Sequence, residues 1–156
     1  MNTRNGLARF CVGSSIALLA GCGGGSEFQA RDLPLAAVQG DFYGDWPVAQ
    51  YVIHTQAEWA AAWARHDSWQ SPVPDLPQVD FAVNTVVGVT LGWAPDSCYG
   101  LRVDGVREEE TRITFTYHRT APGPAALCLG SISPLVAFVA IPATSKPVVF
   151  IETQSL

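Results

Sequence analysis

His54, His66 and His118 are the only imidazoles in 156 residues, so any acid–base or metal chemistry would have to use them. Their settings do not converge. His118 shares the polar face of an alternating stretch with Thr114 and Thr116, His66 ends an alanine-rich helical segment where a cation suits the macrodipole, and His54 closes a strand-like run. No HExxH, GxSxG or Walker-type glycine loop occurs. Asp41 with Asp45, or Asp96 near Asp104, could act as paired carboxylates or a calcium site, but without a DxDxDG pattern they read as turn formers. No catalytic residue, cofactor or metal site is therefore nominated, and a hydrolase using one of the histidines is the enzymatic alternative.

The aromatics are more informative. Trp46, Trp59, Trp63 and Trp69 fall within 24 residues. Trp59 and Trp63 lie four apart, share a helix face and belong in a core. Trp46 and Trp69 lie in loops, where partial packing competes with a role as binding anchors. Together with the strand junction from Trp93 to Tyr99, they give the candidate partner-binding residues Trp46, Trp69, Trp93 and Tyr99.

Residues 1–21 have the order of a secretory signal: Arg4 and Arg9 without an acid, then an apolar run from Phe10 to Ala20. That run is shorter than the roughly 20 residues that cross a bilayer. The following Leu19-Ala20-Gly21-Cys22 resembles the lipobox of bacterial lipoproteins, which implies lipidation of Cys22 by fatty acyl chains such as palmitate. The alternatives are an ordinary signal peptide that contains a cysteine, or a short core helix. Gly23-Gly24-Gly25-Ser26 then reads as flexible chain, part of a tether over 22–33. Gly23, standing where an acidic residue would signal inner-membrane retention, points to the periplasmic face of the outer membrane.

The composition agrees with an envelope protein. Hydrophobic residues at 48% and charged residues at 15% exclude disorder, and the length excludes two full domains. Nine basic residues, one of them lysine and none in a run, exclude a general nucleic-acid binder. Losing Arg4 and Arg9 with the signal takes the net charge from −5 to −7. Of four cysteines, Cys11 departs and Cys22 takes lipid. Cys98 and Cys128 remain in an oxidising compartment, where a disulfide is the default. Two buried thiols or half a metal site are the alternatives, and a spacing of thirty residues without CxxC or a nearby His suits zinc poorly.

The elements that must hold these residues follow from pattern. Strands are expected at 35–39 and 48–54, with an aromatic, turn-rich loop from Gly40 to Pro47 between them. Thr55-Gln56-Ala57-Glu58 forms a capping box that predicts a helix to about His66. Pro72, Pro74 and Pro77 forbid a regular element over 67–79. Val87, Val89, Leu91 and Trp93 alternate with Gly88, Thr90 and Gly92, giving one bulky and one small face. Further strands are expected over 99–107, where Asp104-Gly105 is a turn or a bulge, and over 112–118, 134–141 and 147–152. The sum is an α+β domain over 34–156, a mostly antiparallel, sandwich-like sheet with one helix packed on it.

From about residue 52 to 152 the chain resembles the C-terminal domain of the PrcB family, named for an accessory lipoprotein of a bacterial surface protease complex. The matching segments are Val52-Ile53, Glu58 to Trp63, Val79-Asp80-Phe81, Val86 to Gly92, Pro95 to Val103, Ser133-Pro134, Val139 to Pro142 and Lys146 to Phe150. The chain departs at 97–100, where Cys98-Tyr99-Gly100 replaces a Gly-Gly-Tyr type turn that is also similar to the binding loops of chagasin-type peptidase inhibitors. The resemblance implies a noncatalytic module that binds or stabilises a protein partner, such as a secreted peptidase. The alternatives are a peptidase-inhibitor-like module and a small-molecule or lipid binder, the latter favoured by an apolar pocket of several hundred cubic ångströms and removed by a filled core.

Overall fold

The computed structural model describes residues 27–66 and 68–155; the signal segment, Cys22 and the glycine tether lie outside them. Eight strands and one helix follow in the order β1 Arg31–Asp32, β2 Ala36–Ala37, β3 Ala49–Ile53, α1 Gln56–Trp63, β4 Asn84–Ala94, β5 Gly100–Glu108, β6 Ile113–Thr120, β7 Ser133–Pro142 and β8 Val148–Ser155. They form two four-stranded sheets, β1-β5-β6-β8 and β2-β7-β4-β3, all antiparallel except the β6–β8 pair.

β4 explains the layering. Val87 and Val89 enter an aliphatic core shared with Val106, Ile113, Phe115 and Ile141 of the first and second sheets. Val86, on the opposite face of β4, enters an aromatic core under α1 with Trp46, Tyr51, Trp59, Trp63 and Phe138. The second sheet is thus buried on both faces, between the first sheet and the helix. The small face expected in β4 serves this packing. A Cβ on Gly88 would lie 2.1 Å from Phe138 Cδ1, so only glycine leaves room for that ring.

α1 is capped as expected. The Thr55 hydroxyl accepts from Glu58 N–H, and the Glu58 carboxylate accepts from Thr55 N–H. The helix ends at Trp63, three residues earlier than expected, while His66 continues into a buried turn. Trp59 and Trp63 donate their indole N–H groups to the carbonyls of Pro77 and Pro74, pinning the proline-rich loop over the helix.

Arg31 and Asp32 pair with Glu108 and Arg107, Leu33 N–H donates to Val106 O, and Leu33 is buried in the aliphatic core. Pairing and packing thus include Arg31 to Leu33, within the segment read as tether. Two residues of pairing are too short to leave an alternation in sequence.

The register gives the sandwich two distinct ends. Arg31 enters opposite Glu108, near the β5–β6 turn, and Lys146 Nζ donates to Glu108 and to the Glu109 carbonyl there. Ala94 opposite Ser133 and Gly100 opposite Thr120 mark the far end, with the 95–99 turn and the 121–132 loop.

Candidate functional site

A bulge in β4 builds the far end. Thr90 pairs with Val136 and Trp93 pairs with Pro134, so β4 spends one extra residue in this interval. Gly92 takes φ +78°, a left-handed conformation that costs a side-chain-bearing residue. The extra residue moves Trp93 off the face of Val87, Val89 and Leu91, where simple alternation places it, onto the face of Phe138 and the helix layer.

There Trp93 stacks on Trp69, with centroids 5.0 Å apart and planes 14° from parallel. Tyr43 meets both rings edge-on, at 5.4 Å from Trp93 and 6.4 Å from Trp69. Trp69 remains 61% exposed, so its face away from Trp93 is open to solvent. The cluster is held from below. The Thr90 hydroxyl donates to Pro47 O and accepts from Ala49 N–H, fixing the loop that carries Tyr43 to β4. Trp93 Nε1 donates to Asp45 at 3.3 Å, and Gln70 Nε2 donates to Asp41 at 2.7 Å. The Gln70 amide and the Tyr43 N–H hold the Asp41 carboxyl below its ordinary range, so it is an anion at neutral pH.

Of the four candidate partner-binding residues, the structure brings together Trp69 and Trp93. Trp46 is removed from that surface: it is 2% exposed, donates Nε1–H to Phe42 O and packs on Phe138. Its loop folds inward because the ring completes the aromatic core. Tyr99 sits half-buried in the 95–99 turn at the same end, and none of the ring pairs among the described residues includes it. Tyr43 was not singled out from sequence; its signal was its place in the aromatic loop between Asp41 and Asp45.

Beside the stack, Cys98 and Cys128 form a disulfide with Cα atoms 5.5 Å apart. Ser97 N–H donates to Leu129 O, and Ser97 Oγ accepts from Leu129 N–H. This fixed loop displays Leu127, fully exposed, with Leu129 and Ile132 also exposed. The sequence signal for this second patch was the absence of any charged residue from Ala121 to Ser145.

The histidines occupy structural settings. His66 is buried in the turn after the helix, stacks on Trp46 at 4.5 Å and places Nε2 3.2 Å from Tyr43 O. His54 Nδ1 lies 3.4 Å from Thr85 Oγ1. His118 Nδ1 lies 3.0 Å from Thr153 Oγ1, which donates to Asp104 at 3.2 Å. The Thr153 hydroxyl thus stands between His118 and Asp104. The one group of potential metal ligands among the described residues is Asp96, Cys98 and Cys128, whose two sulfurs are bonded to each other.

No family model, curated protein or solved structure matches the chain. An exposed aromatic stack with two carboxylates, beside a rigid aliphatic loop, suits the capture of another surface.

Proposed function

We propose that this chain is a noncatalytic binding module of a bacterial cell-envelope lipoprotein, anchored by lipid on Cys22 and engaging a protein partner with its far end. The observation that carries this reading is the open Trp69–Trp93 stack at the end opposite the entry of Arg31. A tether attached ahead of Arg31 holds that entry end toward the membrane and leaves the stack and the Leu127 loop facing outward. Exposed aromatics held in place are efficient anchors, because little side-chain entropy is lost on binding. The PrcB resemblance adds the expectation that the partner is a secreted peptidase or another component of its complex.

The test is capture of envelope proteins by the lipidated chain, followed by the same capture with Trp69→Ala and Trp93→Ala. Loss of the same partner from both variants, at unchanged thermal stability, supports the reading; undiminished capture overturns it. Lipidation is checked by the membrane fraction, which Cys22→Ser should empty.

A second reading is favoured by one observation. A cleft of about 340 Å³ opens between the sheets, lined by apolar side chains including Leu35, Phe42, Val103, Val136 and Phe138. It would suit a small apolar ligand or an acyl chain. Titration with a fluorescent fatty acid, and its abolition by Val136→Trp, would support this use; no uptake would remove it.

A further inference from the structure

The charges of the molecule are segregated. Six ion pairs occur among the described residues, and all join side chains of the β1-β5-β6-β8 sheet and its adjoining turns. They use every described Arg and Lys except Arg65. Arg65 lines a shallow depression beside β3 with Glu58 and Tyr51. Asp41 and Asp45 take part in none of the six pairs. The segment from Gly40 to Cys98, which carries the stack, holds seven acidic residues and one arginine.

Resting on the protein-binding reading above, we infer that the Tyr43–Trp69–Trp93 stack receives a cationic side chain, an arginine or lysine of an extended partner segment. The cation lies over the open face of Trp69, with Asp41 and Asp45 as its counter-charges. An indole face carries the negative lobe of the ring quadrupole and attracts a guanidinium or ammonium group. Trp93 covers one face of Trp69 and Tyr43 meets its edge, so the ring is held in one orientation with its other face free. Gln70, which follows Trp69 in the chain, donates to Asp41, and Trp93 itself donates to Asp45. An acidic partner would be repelled. A neutral glycan could use the ring face but would leave both carboxylates uncompensated.

The test uses the full chain and a short unstructured peptide of repeating Gly-Ser-Arg, with Gly-Ser-Gln and Gly-Ser-Glu peptides of equal length, read by tryptophan emission and calorimetry. The arginine peptide should bind about tenfold more tightly than the glutamine peptide, and the glutamate peptide should not bind. Raising the salt should weaken the arginine peptide alone. The double variant Asp41→Asn, Asp45→Asn should lose most of the tenfold preference while keeping its melting temperature, and Trp69→Ala should lose binding altogether. Equal binding of the arginine and glutamine peptides, sensitive to Trp69→Ala, would overturn the cationic partner and leave the protein-binding surface intact. Binding of maltohexaose at Trp69 with no response to any peptide would overturn both.

Discussion

Trp46, Trp59 and Trp63 each send the indole N–H to a loop carbonyl, those of Phe42, Pro77 and Pro74, and bury their rings in one aromatic core. Trp69 and Trp93 instead stack on each other at the surface, and the Trp93 N–H goes to the Asp45 carboxylate. The two regions are mechanically linked. The buried indoles hold the Gly40–Pro47 and proline-rich loops onto the sheet, and these loops carry Tyr43, Asp41 and Asp45 and lead up from Trp69. The same side chain is thus a structural bolt below and an open face above. The buried set pre-organises the exposed set, so the stack is not assembled at the moment of binding.

That division is open to direct attack. Trp59→Ala removes a fully buried indole and its hydrogen bond, and should lower unfolding free energy by about 3–5 kcal/mol in urea denaturation. Binding should fail only as the fold fails. Cys98→Ser releases a loop whose ends are 30 residues apart and should cost about 3 kcal/mol. Gly92→Val forces a branched side chain into the left-handed region and should cost about 1–2 kcal/mol. Its sharper consequence is on Trp93: tryptophan emission should shift as the stack is disturbed, with binding reduced more than stability.

An acid titration probes the opposite sheet. Hydrogen bonds from Lys146 and Arg31 hold Glu108 below its ordinary value of 4.5, and Thr114 and Arg112 do the same for Glu109. Groups with lowered folded-state values stabilise the fold above about pH 4.5, and that contribution is lost as pH falls through the lowered values. The melting temperature should therefore drop below about pH 4.5, and Lys146→Met should shrink the drop. The smallest effect on stability belongs to Trp69→Ala, within about 0.5 kcal/mol of the unmodified chain because the ring is mostly solvated.

Much of the fold was legible where one local rule acts alone. The capping box announced α1, strict alternation announced β6, and the proline cluster kept the 67–79 region irregular. The disulfide Cys98–Cys128 agrees with the expectation drawn from cysteine count and an expected oxidising compartment. The site was less legible because it depends on a defect in a rule. Alternation assigns Trp93 to the face of Val87 and Val89, and one extra residue before it reverses that face. Gly92 was visible as a small residue, but nothing local separates a packing glycine such as Gly88 from a left-handed one. Trp46 and Trp69 sit in similar loops, and only the tertiary fold sends one into the aromatic core and leaves the other outside. β1 and the β6–β8 parallel pairing were unreadable for the same reason, being fixed by contacts far apart in sequence.

The proposed binding surface at the far end is distinct from the core beneath it. The most direct measurement is partner capture by the full Trp69→Ala chain, beside its thermal melt. The expected result is an unchanged melt with capture reduced about tenfold or more. Full capture at an unchanged melt would contradict it.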